Sequence, residues 1–121
     1  MNQVVKDKWV DALESDRYEQ GRNALCNLEG QMCCLGVLVD LYAQDHNLPW
    51  QEPMKVDGQG LEYKTFQCHW GSLPDAVQKW AELVDALPAV EFNGHTQTLS
   101  TLNDQEELSF KEIAILIKAS L

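Results

Sequence analysis

The sequence predicts an α+β fold, a single compact domain spanning 1–121 with about four helices and a small antiparallel sheet of short hairpins. Three observations carry this. Apolar residues recur at three- and four-residue steps near both ends of the chain. Two turn signals, Asn27-Leu28-Glu29-Gly30 and Asn93-Gly94, separate short segments that have lost the helical period. The chain is 121 residues long and 45% apolar, enough for one core and too short for two.

The first element runs from Asn2 to Ser15. Val5, Trp9, Ala12 and Leu13 fall on one helical face, with Lys6, Lys8, Asp11 and Glu14 turned away. Asp16-Arg17 ends it. A short hairpin follows, its arms near Ala24–Cys26 and Gln31–Cys33. The second helix is expected from about Cys34 to Gln44. Leu35, Val37, Leu38, Val39, Leu41 and Tyr42 make it apolar almost all round, which marks a buried central helix. Gly36 in its first turn costs about 1 kcal/mol against Ala and makes sense where another backbone packs close.

Asp45 to Gly60, with Pro49, Pro53, Gly58 and Gly60, reads as a long surface loop anchored by Trp50. Glu62–Cys68 reads as a strand. A third helix opens with Ser72 as N-cap, Pro74 and Asp75 in the first turn, and Val77, Trp80, Ala81 and Val84 facing inward; it stops before Pro88. Ala89–Thr98 is a second hairpin around Asn93-Gly94, and Leu99–Asp104 a short helical turn. Ser109 and Glu112 form a capping box for the last helix, with Ile113, Leu116 and Ile117 on one face.

Composition excludes several function classes. Nineteen acids against nine Lys and Arg give a net charge of −10, which argues against direct binding of nucleic acid, since phosphate contacts need clustered bases. A basic protein partner is the sharper reading of that charge, and a solubilising surface the plainer one. No apolar run approaches a membrane span, and the first residues lack a signal-peptide core, so a cytoplasmic protein without membrane contact is expected. Cys26, Cys33, Cys34 and Cys68 are accordingly read as reduced thiols.

Two passages resemble a family of small proteins common in tailed phages and prophages. Near the start they are Trp9, Ala12-Leu13, Tyr18-Glu19-Gln20-Gly21 and Cys33-Cys34-Leu35-Gly36-Val37-Leu38; near the end, Leu99–Leu102, Asn103-Asp104 and Ser109-Phe110-Lys111-Glu112-Ile113-Ala114. The segment from Asp45 to Thr98 carries none of its motifs. The resemblance implies a phage accessory protein acting in the host cytoplasm, with no particular activity attached. Its partner would be a host protein, such as a component of antiviral defence, or a small molecule.

The residues that carry candidate chemistry sit mostly in those motifs. A thiol at a helix start meets unpaired N–H groups and a partial positive charge, which stabilise a thiolate. Cys34, His95 and then Asn103 or Asp104 follow the order of a papain-like relay, in which the imidazole deprotonates the thiol and the last residue orients the ring. The bland alternative is that Cys33 and Cys34 are structural, one buried and the other less so. Cys26 with Cys33 or Cys34, and Cys68 or His69, is a weaker zinc combination because the usual ligand spacings are missing. No metal or cofactor is therefore expected.

Asn103-Asp104 either bonds nearby backbone or forms a polar pocket beside the Cys34 helix start, with Cys33 and Gly36 in its wall. Trp50 and Trp70 are loop aromatics of the kind found at interfaces, or half-buried anchors. Gly58-Gln59-Gly60 lacks the lysine and helix of a phosphate loop. The leading expectation is a non-catalytic binding protein; the alternative is a small cysteine hydrolase or transferase.

Overall fold

A computed structural model describes residues 1–55 and 60–121. The element order is α1 (Gln3–Glu14), α2 (Cys34–Asp45), β1 (Gln51–Lys55), β2 (Glu62–Thr65), α3 (Asp75–Ala81), β3 (Ala89–Phe92), β4 (His95–Thr98), α4 (Leu99–Asp104) and α5 (Phe110–Ser120). The described residues thus hold five helices, one more than the expected four, because Leu99–Asp104 is a full short helix. In place of one small sheet there are two separate antiparallel pairs, β1–β2 and β3–β4.

Helix α2 lies at the centre, buried from Cys34 to Val39 and again at Tyr42 and Ala43. Around it pack Trp9 and Leu13 of α1, Val77 of α3, Leu99 and Leu102 of α4, and Ile113 and Ile117 of α5, all within one apolar core. The side-chain oxygen of Asn2 accepts from the N–H of Val5 to start α1, while the Asn2 N–H donates to Ala81 O and ties α1 to α3. Helix α1 runs beside α5, where the Lys118 ammonium pairs with Glu14 at 2.8 Å.

Helix ends follow the residues available. Helix α2 closes in a Schellman motif, with Asn47 left-handed at φ 54° and Leu48 N–H donating to Ala43 O. Helix α5 opens with the expected capping box: Ser109 Oγ accepts from Glu112 N–H, and the Glu112 carboxylate accepts from Ser109 N–H. The second hairpin also forms as expected, with Ala89 opposite Thr98 and Phe92 opposite His95 across Asn93-Gly94.

Four expectations need correction. The segment around Ala24–Cys26 and Gln31–Cys33 turns at Asn27–Gly30, but only isolated bridges join Cys26 and Gln20 to Met32, so no regular hairpin strands form there. The loop expected from Asp45 to Gly60 contains β1, whose pairing shifts between Gln51 and Met54; Pro53 sits in that irregularity, where its missing N–H breaks no ladder bond. Gly58 and Gln59 lie outside the described residues. The strand expected over Glu62–Cys68 ends at Thr65, because Gln67 and Cys68 are left-handed and fold the chain back so that Phe66 bonds His69.

Helix α3 begins at Asp75 with Pro74 at the cap position, not at Ser72, whose hydroxyl instead meets His69 Nδ1 at 3.2 Å. It ends early. Glu82 turns left-handed and Leu83 N–H reaches Gln78 O, a second Schellman closure, so Val84 leaves the helical face and is 93% exposed.

Candidate functional site

Helix α2 starts without help from its own neighbour. Cys33 occupies the cap position with extended backbone and makes no side-chain capping bond, as its thiol is a weak acceptor. The acceptor comes from α4. Asn103 Oδ1 takes the Cys34 N–H at 3.2 Å and Gln20 Nε2 at 2.8 Å. Asn103 Nδ2 donates to Gly21 O at 2.9 Å and to Asp104 Oδ1 at 2.8 Å. The amide orientation is fixed by its surroundings, two donors on one side and two acceptors on the other. All four of its hydrogen-bonding positions are filled, and the side chain is fully buried.

The bonds spread outward from there. Asp104 Oδ1 also accepts from the N–H of Asn23, which is left-handed at φ 69°, and Gln20 Nε2 donates further to Leu108 O at 2.9 Å. On the other side of the helix start, Trp9 Nε1 donates to Cys34 O at 2.9 Å. A Cβ on Gly36 would lie 1.9 Å from Leu25 O, so the glycine lets the 24–26 segment lie directly on the helix. The Cys-Cys-Leu-Gly segment and Asn103-Asp104 thus meet, as a clasp closed by its own hydrogen bonds.

Both motif thiols are buried, where one was expected to be less so. Burial pushes Cys33 up to about 12 and Cys34 well above the usual thiol range; nearby N–H groups at the helix start pull the other way and are outweighed. Cys34 Sγ points to Leu99 O at 3.7 Å. His95 is exposed on β4 opposite Phe92, and no hydrogen bond links it to Cys34 or Asn103 among the described residues. The relay of Cys34, His95 and Asn103 or Asp104 is not assembled, because thiol and imidazole belong to interior and surface respectively.

The other thiols separate as well. Cys26 Sγ faces Asn27 O at 3.4 Å, and Cys68 is exposed on its turn. Among the described residues no three His, Cys, Asp or Glu side chains gather as metal ligands.

A second polar cluster escaped the sequence reading. Asp40 accepts from Tyr18 Oη at 2.7 Å, Gln44 Nε2 at 2.7 Å and Trp50 Nε1 at 3.0 Å. It binds α2 to the segment after α1 and to the entry of β1. Burial, and then the bond to the Asp40 carboxylate, raise the Tyr18 phenol far above its ordinary value, so it remains a donor. The signal was a carboxylate set among the apolar residues of the central helix. Trp50, read from the sequence as an interface aromatic or a half-buried anchor, is half-buried, bonded to Asp40 and edge-on to Phe66. Trp70 stacks on Tyr63 with centroids 5.6 Å apart, and its carbonyl accepts from Leu25 N–H at 2.7 Å.

These features define a small α+β protein whose motif residues hold three segments around a buried helix start. The chain belongs to the family described as Domain of unknown function (DUF8296), whose model matches residues 1–121. No curated protein and no solved structure matches it. Among the described residues no helix is long and apolar enough to cross a membrane.

Proposed function

We propose that this is a phage-encoded accessory protein that acts by binding a host protein, with no covalent chemistry of its own. One observation carries the reading: the two motifs that mark the chain are spent on a single internal clasp. Asn103 has no hydrogen-bonding position left for a ligand, and the Cys33 and Cys34 thiols are buried in their neutral form. Residues this deeply engaged shape a scaffold, and function then belongs to the surface they support. The excess of 19 acids over 9 bases suits a partner with a basic face, a component of host antiviral defence being the leading class. The phage setting rests on the motif resemblance.

Capture from host lysate on the immobilised, folded protein tests the reading. A defined protein retained at low salt, released at high salt and absent from a heat-unfolded control is the expected result. Retention of no protein above background would overturn it.

A further inference from the structure

Helix α5 buries Ile113, Ala114 and Ile117 but leaves Ile115 64% exposed. Beside Ile115 runs a shallow groove of about 200 Å³, lined by Phe92 at the end of β3, by Leu108 just before α5, and by Glu112, Ile115 and Leu116 along α5. Glu112, Ile115 and Leu116 set the groove along about one turn of α5. Its floor is apolar. Its rim is acidic: Glu112 lines it, and Glu106 and Glu107 are exposed just before Leu108. The bonds from Ser109 hold the Glu112 carboxyl below its ordinary range, so it is ionised at neutral pH. Lys111 is the nearest base in sequence, and the three carboxylates outnumber it.

We propose that the groove between α5 and β3 docks a basic, amphipathic helical segment of a partner protein. The inference rests on the binding role proposed above and assigns it a surface. An apolar ridge with i, i+3 and i+4 spacing fits a groove running along a helix, while Lys or Arg on its flanks meet Glu106, Glu107 and Glu112. A second copy of this chain fits less well, since each brings a net charge of −10 to the contact.

The test uses a fluorescent peptide with Leu on one helical face and Lys on the other, titrated with the full chain and read by anisotropy. A scrambled peptide of the same composition serves as control. Ile115→Asp removes the apolar contact while adding negative charge; Val84→Asp places the same charge at an exposed site elsewhere. Expected are binding that weakens with salt, and a loss of at least about tenfold with either the scrambled peptide or Ile115→Asp, but not Val84→Asp. Equal binding of both peptides, or an unchanged Kd in Ile115→Asp, would overturn the proposal by showing only diffuse attraction. Self-association abolished by Ile115→Asp would overturn it too, because a second copy then fills the groove. In either case, capture of a host protein by Ile115→Asp would leave the binding role standing on another face.

Discussion

Asn103 caps the helix that begins at Cys34, across 69 residues of chain. The acceptor that a helix start ordinarily takes from its own preceding residue is delivered by the end of another helix. Loss of that side chain takes the partner from the buried Cys34 N–H and Gly21 O and leaves Gln20 with only its bond to Leu108 O. Asn103→Ala is expected to cost about 3 kcal/mol, read as a lower urea midpoint at unchanged slope. A cost below about 0.5 kcal/mol would show that the clasp does not support the fold.

Asn103→Asp separates shape from charge. The variant keeps the acceptors but loses the donors, and sets a second carboxylate against Asp104. Burial and that neighbour raise its folded pKa above the unfolded value of about 3.9, so its protonated form is favoured in the fold. The deficit against the parent chain is smallest near pH 4 and grows as pH rises to 7. Urea titrations at the two pH values check this, and an equal deficit at both would contradict it.

Gly36→Ala is expected to be among the most damaging single changes, since its Cβ would fall 1.9 Å from Leu25 O and both partners are backbone. A cost of about 3 kcal/mol or more, or failure to fold, follows from overpacking that no rotamer relieves. Gly71→Ala is the matched control. A Cβ there meets nothing within 4 Å, so its stability should change by less than about 0.5 kcal/mol.

The thiols predict a pH limit. Cys33 ionises at about 12 in the fold against 9.0 as its ordinary value, and Cys34 is raised in the same direction. The unfolded chain therefore releases these protons first. The stabilisation is fully present below pH 9 and is lost as pH climbs through the folded values. Unfolding free energy should fall between pH 8 and 10.5, and less steeply in a Cys33→Ala, Cys34→Ala double variant. Tyr18 adds to the fall in both chains. Alkylation of the folded protein should label exposed Cys68 quickly and Cys33 and Cys34 slowly, with His95→Ala changing neither rate.

Asp40 gathers donors from three segments, so its removal should be felt in all of them. Asp40→Ala leaves Tyr18 Oη and Trp50 Nε1 without this acceptor, at an expected cost of about 2 kcal/mol. Tyr18→Phe alone should cost about 1 kcal/mol. A double-mutant cycle should return positive coupling between the two. Additive costs would mean that the bond contributes nothing.

Several elements were legible because local chemistry determines them. The Trp9 face of α1, the Asn93-Gly94 turn and the Ser109–Glu112 box depend on residues within a few positions of one another. Gly36 was legible in kind, though nothing in the sequence says that Leu25 is the backbone it admits. What stayed hidden depends on distant partners or on residues used against their preference. Glu82 and Asn23 are left-handed without being glycine, so the early stop of α3 carries no marker. Pro53 concealed β1. Burial overrode the helix-start field at Cys33 and Cys34, and the sequence alone could not weigh those two effects. The capping of Cys34 by Asn103 is a tertiary fact that no window of either segment contains.

The clasp also has a consequence in time. A ribosome makes Cys34 long before Asn103, and α5, which packs on α1, later still. During synthesis the central helix therefore waits with its Cys34 N–H unclaimed and, of the helices that pack on it, only α1 already made. The clasp cannot close until Asn103 has been made, so the helix start stays uncapped across the 69 residues of chain that separate the two.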